Sequence, residues 1–453
     1  MPRASLKRKL LRTGIVLFCL ALPFIGWRCW TRWLANSQLA AVRRAGFPTN
    51  GDELNQWYAA VPDAENAALV LTQAFALRRN YDDSRSDLVW NFKFPRRGQA
   101  LAPEQLELLK GHVEMNRSAL AKADEALKLP RSRYPVDFSF GMQTPLPHLT
   151  WLKNLAEINQ HKAELALMAG DTGEAGRSIS GILGLAGTLE NEPILISQMV
   201  RLKLLQMAVA SLERSLNLAP GFAEATNLSA QLAQAAKVQC LARALVGERA
   251  GFAPYFRTSP SDNPRIYPPK NDQEEDSASV IRRKDWRMLK LVGYYDMDLG
   301  QFLFVMDKVI TLADLPPPAN LEVDRHFAKA AAVSKKKRRN LSALIFSNCI
   351  RAAARENECI ARLRLATTGL AVEQFRNQKG RLPEKLEELA PEFITELPED
   401  PFTGSELLYH SLSKGYVIYS VGRDLIDDGG KEEPDSTKER TQSTYDITFT
   451  VER

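Results

Sequence analysis

The chain has 453 residues, enough for two or three domains beyond any targeting segment. With 45% hydrophobic and 25% charged residues, its composition excludes an intrinsically disordered polymer. The net charge of +6 belongs to the N-terminus: positions 1–35 hold seven basic residues and no acidic one, and the remainder holds 53 basic against 54 acidic residues, which argues against nucleic acid as a partner.

The first element reads as a membrane anchor. Arg3, Lys7, Arg8, Lys9 and Arg12 precede an uncharged, mostly apolar run from Gly14 to Trp27, followed by Arg28, Trp30, Arg32 and Trp33. As a helix this run spans about 21 Å, against about 30 Å of hydrocarbon, so the flanks must extend it. Trp27, Trp30 and Trp33 suit the membrane interface, and Arg28 is expected to snorkel. A cleaved signal peptide ends in small residues, whereas Phe24-Ile25-Gly26-Trp27-Arg28 is bulky and charged. An uncleaved anchor is therefore read in preference to a cleaved signal or a soluble core helix. The membrane is engaged through residues 13–33, and the basic bias puts the N-terminus in the cytoplasm. The expectation is a single-pass protein with its bulk in the periplasm or otherwise outside the cytoplasm. No second apolar run of about 18 residues is read downstream.

Residues 36–330 read as a helical domain. Asn50-Gly51-Asp52-Glu53 caps a helix whose apolar face is Leu54, Trp57, Tyr58 and Val61. Further helices are expected over 64–78 and 103–129. Between them, alternating Trp90, Phe92 and Phe94 allow a short strand. After a proline-broken stretch over 130–147, the pattern is helical over 149–218. Within it, Gly170-Asp171-Thr172 forms a turn like that of a tetratricopeptide hairpin, but one hairpin falls short of the three repeats a stable array needs. Gly181, Gly184 and Gly187 have no preceding strand and no following Lys-Ser/Thr, so close helix packing is the reading rather than a phosphate loop. Glu192-Pro193 begins another helix. Residues 252–279, rich in Pro, Ser, Asp and Asn, read as a linker. A helix over 280–312 ends before Pro316-Pro317-Pro318.

The sequence carries no recognisable catalytic or metal motif. His112, His148, His161, His326 and His410 form neither HExxH nor HxH, and Cys19, Cys29, Cys240, Cys349 and Cys359 have no metal spacing. No nucleophile elbow, Walker motif or dinucleotide fingerprint occurs. The basic run Lys335-Lys336-Lys337-Arg338-Arg339 lacks interleaved aromatics and reads as a solvated helix edge.

Residues 331–453 read as an α+β domain. A long helix over Asn340–Lys379 is closed by Gly380. Then follow Arg381-Leu382-Pro383, Leu397-Pro398-Glu399-Asp400-Pro401-Phe402-Thr403-Gly404, Tyr419-Ser420-Val421-Gly422-Arg423-Asp424 and Gly429-Gly430. Strands are expected over Glu406–His410, Gly415–Ser420 and Asp446–Val451. The fold class is thus mainly α with a small C-terminal α+β domain: an N-terminal transmembrane helix (1–35), an irregular, partly tetratricopeptide-like helical domain (36–330), and a long helix packed on a short antiparallel sheet (331–453).

This ordered series, over about 340–453, resembles the C-terminal region of the major pseudopilin (G-type) of type II secretion systems. The resemblance departs from that family at three places. The helix start is basic rather than apolar, Leu425 stands where the family has glycine, and the loop to the final strand, Lys431–Thr444, is long. It implies a borrowed domain rather than a pilus subunit. It also implies Ca²⁺ in the loop holding Asp424, Asp427, Asp428 and Asp446, whose hard oxygen donors suit that ion. Read without the resemblance, the same loop is an acidic, solvated turn. The function expected is a membrane-anchored, non-enzymatic envelope protein whose partners are other envelope proteins, linked to a type II secretion or pilus-like assembly. The alternatives are an envelope enzyme with an unrecognised site, or an adaptor using the basic run 335–339.

Overall fold

The computed structural model describes residues 3–223, 227–258, 288–432 and 445–453, with side chains from position 21 onward and that of Asn340 excepted. It is mainly helical, with one three-stranded antiparallel sheet near the C-terminus.

Helix α1 runs Arg3–Arg44 without interruption, through Pro23 and past position 35. Its C-terminal part is buried in the fold at Ala35 and Val42. α2 (Gly51–Trp57) begins at Asn50, whose side chain accepts the Glu53 amide as the capping signal requires. α3 (Ala67–Leu77), α4 (Arg85–Trp90), α5 (Pro103–Met115) and α6 (Arg117–Ala126) follow. The helix expected over 103–129 is thus two, divided at Asn116, whose side chain is drawn to the Arg79 backbone. No strand forms at Trp90–Phe94. The alternation arises because Trp90, Phe92 and Phe94 pack around His112 and His161.

α7 (Pro147–Met168) and α8 (Thr172–Gly187) form a hairpin. Gly170 takes φ 76 at the turn, and the Asp171 side chain accepts the Glu174 amide at 2.8 Å. Gly181 and Gly184 admit close neighbours: a Cβ would lie 3.2 Å from Asn159 Oδ1 and 3.0 Å from Leu127 Cδ1, respectively. Gly187 meets nothing within 4 Å. α9 (Leu195–Leu218) begins two residues beyond Pro193. α10 (Ser229–Lys237) and α11 (Leu241–Phe252) complete this region, and a 3₁₀ turn at Ala253–Phe256 enters the expected linker. The linker beyond position 258, and residues 280–287 of the helix expected over 280–312, lie outside the described residues.

α12 (Tyr294–Ala313) and α13 (Glu322–Lys336) lead into the last region. The helix expected over 340–379 is broken into α14 (Asn340–Cys349) and α15 (Ala352–Lys379). Arg351 adopts φ 75, and the Asp324 carboxylate from α13 accepts the Ala353 and Ala354 amides at 3.0 and 2.9 Å. A helix start is thereby imposed from elsewhere in the fold. The basic run ends α13 rather than starting the next helix. Lys335 and Lys336 occupy the last turn, where the macrodipole favours positive charge.

Strands β1 (Leu408–Ser411), β2 (Tyr416–Ser420) and β3 (Ile447–Val451) pair in the order β1-β2-β3, with Leu408 opposite Tyr419 and Tyr416 opposite Val451. The sheet lies on α15, where Phe449 packs over Gly369. The largest buried cluster draws residues from Ala67–Ala236 and Cys359–Val451, and a second core joins Ala35 to residues 241–353.

Among the described residues one helix, Leu195–Leu218, is long and apolar enough to cross a membrane, a run the sequence reading missed. It is internal in the chain, and 56% of its most apolar stretch is buried among the other helices.

Candidate functional site

Three places gather chemistry-bearing side chains: the acidic loop, a polar junction between α9 and the sheet, and a set of buried ionisable groups.

The loop is organised by the two motifs that flank it. Asp400 is 2% exposed; its carboxylate accepts the Phe402 amide at 2.9 Å, the Ser420 hydroxyl at 2.9 Å and the Val421 amide at 3.1 Å. A buried carboxylate is stable only when its lone pairs are engaged, and this one ties the Asp400-Pro401-Phe402 turn to the end of β2. The chain then passes through Leu425, exposed and at φ 60, to Gly429 and Gly430, both left-handed. Asp446 accepts the Gly430 amide at 2.8 Å and the Asp428 amide at 3.5 Å. Asp427 accepts the Gly429 amide, and Asp424 the Ile426 amide.

Partial burial raises the Asp446 carboxyl above its ordinary range, and the charges of Asp428 and Asp427 add to that rise while the two amides oppose it. Asp427, Asp428 and Asp446 are therefore electrostatic neighbours, whereas Asp424 does not contribute to the Asp446 rise. Among the described residues no three His, Cys, Asp or Glu side chains are grouped as a metal cage. For these four aspartates to hold Ca²⁺, their carboxylates would turn from the backbone amides toward the ion.

The polar junction joins the C-terminal strand to α9. Asn217 donates to the Thr450 carbonyl and accepts the Glu452 amide. Glu213 accepts the Thr450 amide at 2.7 Å and pairs with Arg97 at 2.7 Å; Arg97 also pairs with Glu432. Burial pushes Glu213 up, against the pull of Arg97. Beside it, Glu164 and Arg214 form a buried two-point ion pair at 2.6 and 2.7 Å. Arg214 also donates to the Pro95, Arg96 and Gln99 carbonyls, so its donors hold the 95–99 loop. Clefts of about 540 and 550 Å³ flank this junction and share Glu213 and Glu432.

The buried ionisable groups serve the helices. Glu356 accepts the Cys240 and Leu241 amides at 2.8 and 3.1 Å, capping α11 from α15. Glu248 accepts the Leu195 amide at 2.9 Å, capping α9. Asp298 faces the first turn of α14 beside Arg339 and Ser342. Burial pushes Glu248 up to about 7 and Asp298 up to about 6. None of these helices carries a local side-chain cap, so sequence inspection had no signal for them.

Among the histidines, His112 and His161 face one another with Nδ1 atoms 3.2 Å apart, one donating to the other. Burial holds them down to about 4 and about 3, so the pair is neutral. His148 bonds Glu192 at 3.0 Å beneath Tyr134, which stacks on it. His410 bonds the Tyr419 hydroxyl at 2.8 Å, and His326 bonds the Glu322 carbonyl. The four described cysteines are free thiols.

Residues 22–27 are exposed on every face of α1, and from Arg28 onward the helix divides into an exposed and a docked face. Leu22, Phe24, Ile25, Trp27, Trp30 and Trp33 are exposed, Trp33 at 64%, whereas Thr31 and Ala35 are buried against the body. Arg28, expected to snorkel, instead pairs with Asp296 at 3.1 Å.

No family model, curated protein or solved structure matches the chain.

Proposed function

We propose that this is a single-pass, membrane-anchored envelope protein, non-enzymatic, whose helical body and pseudopilin-like C-terminal domain form an interaction module for other envelope proteins of a secretion or pilus-like assembly. The observation that carries the proposal is the exposed apolar surface of α1. Six large apolar side chains between Leu22 and Trp33 remain exposed, on every face over 22–27 and beside the face that docks on the protein from Arg28 onward. Exposed apolar surface on this scale marks a membrane or partner contact, and the preceding run Gly14–Leu20 continues it toward the basic N-terminus.

Two further features support the interaction reading. Glu248 and Glu356, both raised by burial, are engaged in capping helices, so their unusual protonation serves the fold. The tetratricopeptide-like α7–α8 corner and the sheet on α15 both belong to the largest core, which makes one scaffold of the helical and C-terminal regions. The Ca²⁺ at Asp424, Asp427, Asp428 and Asp446 is part of the proposal, supported by the resemblance and by the Asp446 carboxylate drawing in the Asp428 and Gly430 amides of the same loop.

Membrane fractionation tests the anchor. The full chain should sediment with membranes, resist carbonate at high pH, and enter the supernatant only with detergent. Release by carbonate alone would contradict the proposal.

A further inference from the structure

We propose that residues Met288–Val292 form a second membrane contact, lying in the bilayer interface beside Trp27 and fixing the body's orientation on the lipid surface. This rests on the reading of α1 as a membrane anchor.

The segment's depth is set by contacts with α1. The Trp27 indole donates to the Val292 carbonyl at 3.1 Å. Tryptophan at the end of an apolar helix settles at the headgroup level, so the backbone it bonds is held at that level too. The next residue, Gly293, has φ 80, and a Cβ there would lie 2.5 Å from Arg28 Nη1 and 2.8 Å from Thr31 Oγ1. No side chain separates the start of α12 from α1. One turn further, Asp296 pairs with Arg28. Leu22 lies five residues before Trp27, about 7.5 Å deeper along the helix.

The side chains of the segment fit that position. Met288 is 63% exposed, Leu291 56%, and Val292 is exposed as well. Val292 meets Trp27, which lies against Trp30, so the apolar surface of α1 continues onto a part of the chain more than 250 positions away. Lys290 adds positive charge within the segment, and the exposed Arg32 adds more about 7.5 Å further out along α1, complementary to anionic headgroups. An apolar strip with basic neighbours, continuous with a membrane helix, is the composition of an interfacial segment. The sequence pattern could not show this, because a run of five residues is far too short to register as membrane-active.

Spin labelling tests the contact on the full chain. In a background with Cys19→Ser and Cys29→Ser, single nitroxides are placed by Leu22→Cys, Leu291→Cys and Ser347→Cys. The protein is reconstituted in phosphatidylethanolamine–phosphatidylglycerol vesicles. Collision rates with oxygen, which concentrates in lipid, are compared with those of a nickel chelate, which stays in water. Oxygen should dominate strongly at 22 and more weakly at 291, and the chelate should dominate at 347. An aqueous label at 291 with a lipid-exposed label at 22 overturns the second contact and leaves the anchor standing. A label at 291 shielded from both reagents shows that protein covers the segment, which also overturns it. Aqueous labels at both 22 and 291 overturn the anchor itself.

Discussion

The Arg28 guanidinium meets the Asp296 carboxylate, 268 positions away in sequence, at 3.1 Å, and Arg257 reaches the other oxygen of the same carboxylate at 3.1 Å. A helix read as leaving the membrane is thereby fastened to the second core of the body. Anchor and body are one mechanical unit at this point, since Ala35 and Leu39 continue the contact into the same core.

That docking depends on Gly293. Its φ of 80 and its approach to Arg28 and Thr31 leave no space for a side chain. Gly293→Ala should destabilise the detergent-solubilised chain by about 1–2 kcal/mol from the left-handed conformation, with the clash added to that. The measurement is a thermal melt followed by circular dichroism, and an unchanged midpoint would show that α1 does not dock as described.

The opposite sign is expected at Leu425. It is exposed, makes no core contact, and holds φ 60, a conformation that glycine adopts without cost. Leu425→Gly should raise stability by up to about 1 kcal/mol, the left-handed relief being offset in part by greater freedom of the unfolded chain. Chemical denaturation of the two chains side by side would show it, and a loss of stability would contradict the loop conformation.

The capping carboxylates make stability depend on pH. Glu248 is raised to about 7 in the folded chain and Asp298 to about 6, both above unfolded carboxyl values. The folded state therefore holds protons that the unfolded state releases between about pH 4.5 and 7. Their contribution is full below about pH 4.5 and is lost as pH rises through 7. Glu248→Gln keeps the acceptor for the Leu195 amide and removes the buried charge. It should stabilise the chain at pH 8, on the order of 3 kcal/mol at most, and change little at pH 4.5. Parallel melts at the two values check this, and an equal effect at both would refute it.

Calcium is tested at the acidic loop. Ca²⁺ bound by Asp424, Asp427, Asp428 and Asp446 should raise the melting temperature of the solubilised full chain by mass action, and Asp424→Ala with Asp428→Ala should abolish the rise. Identical curves with millimolar Ca²⁺ and with chelator would remove the ion.

What the sequence made legible was local. Asn50 and Asp171 announced their helices, Gly170 and Gly380 take the left-handed conformations expected at helix ends, and all three strands fell within a residue or two of their places. What it concealed was set by distant partners. Nothing near Arg351 breaks a helix, since no proline or glycine stands there; the carboxylate that starts α15 comes from Asp324. Arg28 looked like a residue destined for headgroups because Asp296 is invisible at that range. The same holds for Glu248 and Glu356, whose neighbours in sequence give no hint that they cap α9 and α11.

If α1 crosses a membrane, the body lies outside the cytoplasm, and the position of its C-terminus reports this directly. Alkaline phosphatase, which folds only outside the cytoplasm, is fused after Arg453 and expressed in a bacterial host, with a cytoplasm-active reporter fused in parallel at the same position. The account predicts an active phosphatase and a silent partner reporter. An inactive phosphatase with an active cytoplasmic reporter would contradict it.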